Sequence, residues 1–137
     1  MNKIKFRSFK EGDYETCCEW WKWWWKDIPV KRALLPDDCR CFIIESNGVP
    51  VAASFLFAMM NPLVGYNTWT VSNPEYREKD RRSIMEQLIL DVENRAKSEG
   101  LKFIFTVCGN IHMENIHSKL GWTVDKTAPA YETFKYI

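Results

Sequence analysis

The sequence has 137 residues, of which 19 are basic and 18 acidic, for a net charge of +1. This length suits one domain with its own hydrophobic core, and the balanced charge gives no electrostatic case for a nucleic acid or a membrane surface as partner. Apolar residues make up 46% and charged residues 27%, as in ordinary globular proteins, and no run approaches the ~20 apolar residues of a bilayer span.

In chain order, Ile4 to Phe9 alternates as a first strand. Asp13 is placed to cap a helix that runs to about Asp27 and is stopped by Pro29. Residues 29 to 38 read as a loop with a short second helix around Arg32 to Leu35. A hairpin follows, from Cys41 to Glu45 and from Val51 to Met60, joined by Ser46-Asn47-Gly48. Asn-Gly between apolar runs is a strong hairpin signal. Tyr66 to Val71 alternates as a fourth strand, and Ser72 to Lys79 is a polar loop. Ile84, Met85, Leu88, Ile89, Val92 and Ala96 then recur at helical spacing, with Gly100 beyond the end. Leu101 to Val107 reads as a strand buried on both faces. Asn110 caps a short helix closed by Gly121, and Trp122 to Val124 with Tyr131 to Tyr136 would form a closing strand pair.

This order predicts an α/β (α+β) domain over residues 1–137, a mixed but mostly antiparallel twisted sheet with helices on both faces. The strands around Tyr66–Val71 and Leu101–Val107 flank the strand–helix–strand crossover, which should be right-handed, and should be the one parallel pair.

Two segments resemble the GNAT (N-acetyltransferase) superfamily. Val71-Ser72-Asn73-Pro74-Glu75-Tyr76-Arg77 is similar to the family's Val-x-x-Pro-x-Tyr-Arg at a strand end. Asn110, His117, Lys119, Leu120, Gly121 and Trp122 occupy the positions of the family's Asn, Tyr and Lys-Leu-Gly-Phe, with His for Tyr and Trp for Phe. The Trp-rich first helix and the following Leu34-Leu35-Pro36 also resemble small GNAT-like proteins encoded by tailed phages. The resemblance implies that acetyl-CoA wedges between the strands ending at Val71 and near Val107. The pantetheine arm would pair with the first strand, and the diphosphate would lie on the turn at Arg77, Lys79, Asp80, Arg81, Arg82 and Ser83, with Asn110 nearby. An amine acceptor would attack the thioester, and His117 would give a proton to the departing thiolate.

The turn departs from the family's Arg-x-x-Gly-x-Gly. It reads Arg77-Glu78-Lys79-Asp80-Arg81-Arg82, so neither glycine position is open for close phosphate approach. Asp80 is expected to cap its helix where the phosphate should sit and to weaken acetyl-CoA binding, while the surrounding cations compensate. The strand from Gly65 to Val71 holds no carboxylate, so a general base must come from a water relay or from a glutamate elsewhere, Glu19 or Glu45.

Five of the seven tryptophans lie between Trp20 and Trp25. Tyr14, Cys17, Cys18, Trp21, Trp25 and Ile28 share one helical face, read as core. Trp20 and Trp23 fall on another, read as a surface for the acceptor, a protein partner or a second copy in a homodimer. The function is therefore read as acyl-CoA-dependent N-acyltransfer to an amine of a small molecule or protein. Its rival is a GNAT-fold protein without cofactor chemistry that binds another protein through this helix.

The start of the chain leads straight into a strand pattern with no secretory apolar region. The five cysteines lack zinc-knuckle spacing and read as reduced thiols of a cytoplasmic protein. The one ligand combination on offer, Cys39 and Cys41 with His112 or His117, has poor spacing, so no metal is expected.

Overall fold

A computed structural model describes residues 2–25 and 30–127, together with Thr133 and Lys135. Its strands are β1 (Ile4–Ser8), β2 (Cys41–Ser46), β3 (Val49–Ala58), β4 (Val64–Ser72) and β5 (Phe103–Phe105). Its α-helices are α1 (Asp13–Trp25), α2 (Arg81–Ser98) and α3 (Ile111–Lys119). The loop after α1 carries single 3₁₀ turns at Arg32–Leu34 and Asp38–Arg40. The strands lie in the order β1-β2-β3-β4-β5. All neighbours are antiparallel except β4 and β5.

Both faces of the sheet are covered, and β2 shows why. Alternate side chains point to opposite faces, so Phe42 and Ile44 pack with Leu88, Val92 and Ile116 under α2 and α3. Ile43 instead packs with Cys17, Trp21 and Phe55 under α1. The β2–β3 turn has the backbone its sequence demands: Asn47 and Gly48 both have positive φ, 52° and 80°, the left-handed pair of a type I′ hairpin.

Two irregularities shape the molecule where β4 ends. The β3–β4 register skips between Ala53 and Phe55, and Trp69 takes φ 54°. These are the marks of a bulge with one extra residue in β4. The parallel pairing of β4 with β5 spans only Val64–Phe103, Gly65–Ile104 and Tyr66–Phe105. Beyond it β4 runs on to Ser72 while the other chain turns away, so the two strands splay. Gly65 sits at the tight end, where an added Cβ would stand 2.8 Å from Leu101 Cδ1.

Several expectations are corrected. Asp13 does not cap α1 forwards; its carboxylate accepts from the Lys10 N–H behind it and pairs with Arg7, which also holds Glu45. The end of the helix at 26–29 lies outside the described residues. The strand predicted from Leu101 to Val107 shortens to Phe103–Phe105 and is not buried on both faces, with Phe103 and Phe105 exposed. Trp122 to Val124 is not a strand. Gly121 N–H bonds the Ser118 carbonyl and Trp122 N–H the His117 carbonyl, so Trp122 belongs to a Schellman closure of α3. Its predicted partner, Tyr131 to Tyr136, falls largely among the residues that are not described.

Candidate active site

The splay opens into a cleft of about 830 Å³ walled by Trp24 and Trp25 from α1, Thr70, Val71 and Ser72 from β4, the start of α2, and Asn110, Met113 and Ile116 from α3. A deeper recess of about 200 Å³ continues between the diverging strands. It shares Trp25, Thr70, Asn110 and Met113 with the cleft and reaches Cys108 and His117.

Each wall has a local cause. Trp21 Nε1 donates to the Trp69 carbonyl at 3.3 Å and Trp24 Nε1 to the Ser72 carbonyl at 2.7 Å. Two indole N–H groups therefore tie α1 along the irregular end of β4. The start of α3 is set by Asn110, whose side chain accepts from Met113 N–H.

The floor near α2 is cationic. Lys79, Arg81 and Arg82 line it. Arg81 donates to Ser72 Oγ at 2.8 Å and lies over the Trp24 ring, its centre 5.6 Å away. Arg77 lies over Trp23 at 5.8 Å. Burial, then Arg77, lowers the Arg81 pKa, so this guanidinium sits in a site short of anionic partners. Glu86, shared by Arg82 and Lys119, neutralises part of the charge one turn along.

Asp80 departs from expectation. It is the N-cap residue of α2, but its side chain makes no capping bond. The carboxylate turns to the β1 side, accepting from Asn2 Nδ2 and Tyr76 OH, and those two bonds lower its pKa. Ser83 faces the same way and bonds the Asp80 carbonyl. Neither side chain lines the cleft, and among the described residues no side chain caps the first turn of α2, which leaves it suited to an anion.

His117 is 3% exposed. Its Nδ1 lies 2.7 Å from the Met113 carbonyl; a carbonyl only accepts, so Nδ1 carries the proton. Among the described residues neither the buried Nε2 nor Trp122 Nε1 has a hydrogen-bond partner, and the two rings meet edge to face at 4.8 Å. Burial pushes the imidazole below the usual histidine range, partly opposed by the Met113 carbonyl. The resting group is thus neutral with a free lone pair at Nε2. This corrects the simple donor role, because such a ring must first take up a proton. Cys108 Sγ is 3.6 Å from His117 Nδ1, but burial and Glu114 push its thiol up, away from the thiolate a nucleophile needs.

Trp20 is corrected as a surface residue. It is 5% exposed and packs in the α1 core, whereas Trp23 is 53% exposed and Trp25, read as core, is 44% exposed. Glu19 is exposed beside Lys22, and Glu45 is held by Arg7, so neither serves the cleft as a base. Among the described residues no group of three His, Cys, Asp or Glu side chains is placed to hold a metal, and no helix is long and apolar enough to cross a membrane. Thr70 is bonded to buried Ser54, which in turn accepts from Asn67; its signal in the sequence is a run of polar residues in a strand flanked by apolar ones.

No family model and no curated protein matches the sequence. Solved structures do. N-acetylglutamate synthase from Neisseria gonorrhoeae, in complex with coenzyme A and L-arginine, superposes with a TM-score of 0.72 at 14% identity, over 93% of this chain and 29% of that one. The chain therefore spans under a third of that enzyme. A putative acetyltransferase from Salmonella typhimurium with acetyl-CoA gives 0.67 at 17% identity, over 89% of this chain and 80% of that one. A GCN5-related N-acetyltransferase from Ralstonia eutropha gives 0.62 at 18% identity, over 98% and 99%. This is the GNAT fold. In the GNAT fold of this chain, the parallel pair with its splay is where the cleft and the recess meet.

Proposed function

We propose that the protein is an acyl-CoA-dependent N-acyltransferase that moves an acetyl or similar group to an amine of a small molecule or protein. One observation carries this reading: a cationic, aromatic-walled cleft runs into the gap between the two parallel strands. Neighbours of the same fold hold coenzyme A or acetyl-CoA, which supports the choice of co-substrate. Arg77, Lys79, Arg81 and Arg82, with the uncapped first turn of α2, would neutralise the diphosphate. Val71, Ser72 and Asn110 would flank the pantetheine arm, with the acyl group in the recess. The Ser72 carbonyl already accepts from Trp24 Nε1, so the arm would use its second lone pair or other groups of β4.

In the reaction the amine nitrogen attacks the thioester carbon, and the tetrahedral anion collapses by breaking the C–S bond. The ammonium loses one proton and the thiolate gains one. His117 starts neutral and would serve both transfers once its ring turns to bring the buried Nε2 into the recess, where it would take the proton from nitrogen and return it to sulfur. Titration with acetyl-CoA in a calorimeter tests the reading. The expected result is binding that weakens steeply as ionic strength approaches ~0.15 M, where the screening length falls to about 8 Å. Absence of binding by the folded protein at low salt would reject it.

A second reading rests on Trp23, 53% exposed on α1. An exposed tryptophan of this kind is typical of interface hot spots, and a protein partner or second copy would dock there without need of acetyl-CoA.

A further inference from the structure

A buried polar chain crosses the sheet beside the recess. Asn67 Nδ2 lies 2.8 Å from the Phe55 carbonyl and 2.7 Å from Ser54 Oγ. The carbonyl only accepts, so this end of the amide is the nitrogen, and both of its hydrogens are committed. Ser54 Oγ lies in turn 2.7 Å from Thr70 Oγ1. Ser54 is 2% exposed and Asn67 3%, so no bulk solvent reaches them. Asn67 Nδ2 can only donate, so among the described residues Thr70 Oγ1 is the acceptor open to the hydrogen of buried Ser54. Thr70 then accepts, and its own hydrogen is directed elsewhere. The residue is half-buried and lines both the cleft and the recess.

The arrangement depends on the bulge. Three residues apart, Asn67 and Thr70 would face opposite sides of a regular strand. The extra residue near Trp69 brings both to the side of Ser54. Packing on this face, where neighbours such as Ala52 and Leu56 are apolar, needs no hydroxyl or amide. What the chain does is polarise and aim one O–H.

Building on the acyltransferase reading, we propose that Thr70 Oγ1–H is a side-chain donor to the thioester carbonyl oxygen, strengthening as that oxygen becomes an anion, with Ser54 and Asn67 as its positioning residues. The bond engages the acyl carbonyl and nothing in coenzyme A itself. The thioester carbon gains the amine nitrogen and later loses sulfur, while the Thr70 proton stays on its oxygen throughout.

The test compares the natural protein with Thr70→Val, Thr70→Ser and Ser54→Ala, using coenzyme A and acetyl-CoA carrying carbon-13 at the carbonyl. The expected results are unchanged coenzyme A affinity in Thr70→Val and a carbonyl stretch shifted to lower frequency by the natural protein and by Thr70→Ser but not by Thr70→Val. Ser54→Ala, which keeps the Thr70 hydroxyl but frees its rotation, should broaden the band. Acetyl transfer should fall about a hundredfold in Thr70→Val. An equal carbonyl shift in the natural protein and Thr70→Val, with coenzyme A bound by both, overturns the Thr70 assignment alone. Failure of the natural protein to bind coenzyme A overturns the acyltransferase reading along with it. Should Thr70→Val fail to fold, Ser54→Ala decides: a band identical to the natural one overturns the proposal.

Discussion

At the residue scale, His117 and Asp80 show how burial and direction redefine a side chain's chemistry. His117 has a lowered pKa in the folded protein because it is buried. As pH falls below about 6.5, the unfolded chain takes up a proton that the folded protein refuses. The contribution is intact above that pH and is lost as pH falls towards the folded pKa, by at most about 1.4 kcal/mol per unit of separation. The melting temperature should therefore decline between pH 7.5 and 5.5, and His117→Gln should flatten that decline; thermal denaturation across this range checks it. In an activity assay, His117→Ala should lower kcat by at least about a hundredfold. Asp80 makes a different case. Its carboxylate faces Asn2 and Tyr76, not the cleft, so its repulsion of a phosphate should be smaller than the sequence led one to expect. Asp80→Asn should leave acetyl-CoA affinity within about twofold, whereas Arg81→Ala should weaken it about tenfold, near 1.4 kcal/mol. Isothermal titration of both variants separates these outcomes.

At the element scale, α1 is the instructive helix. Asp13, Cys17, Trp20 and Trp21 are its buried residues, a stripe at i, i+4, i+7 and i+8. A tract with five tryptophans in six positions places apolar side chains in every direction. Hydrophobic periodicity then carries little phase: Cys17 and Trp21 are core as the sequence suggests, but Trp20 is buried and Trp25 exposed against expectation. What sets the phase is the sheet: Cys17, Trp20 and Trp21 meet Ile43, Phe55 and Val71, and the Trp21 and Trp24 indoles find carbonyls on β4. Two truncations that look alike in the sequence should therefore differ. Trp20→Ala should destabilise by about 3–5 kcal/mol, and Trp23→Ala by under about 1 kcal/mol, measured by urea denaturation. The helices α2 and α3 were legible to within a residue or so because Ile84 to Ala96 has a single apolar stripe and Asn110 a capping role.

At the scale of the whole molecule, site and fold depend on the same departure of β5 from β4. Gly65 lets the strands approach at one end, with Leu101 Cδ1 at 2.8 Å and Leu56 Cδ1 at 3.3 Å from where a Cβ would lie. Gly65→Ala should cost about 1–3 kcal/mol through overpacking and shift β5 relative to the recess, lowering acetyl-CoA affinity as well as the denaturation midpoint. The family resemblance implied the gathering of Val71, Lys79, Arg81, Arg82, Asn110 and His117 at one site, while the sequence by itself determined the element order from β1 to α3, the hairpin at Asn47-Gly48 and the parallel pair. Those features rest on local rules: strand and helix periods, left-handed turn residues and caps. Only the tertiary structure decided that Asp80 and Ser83 turn away, that Trp20 is core, that the His117 lone pair is free, and that Asn67, Ser54 and Thr70 form one chain. Each of these depends on which partner lies across the sheet or beyond a bulge, and a one-residue bulge reverses the facing of every residue after it.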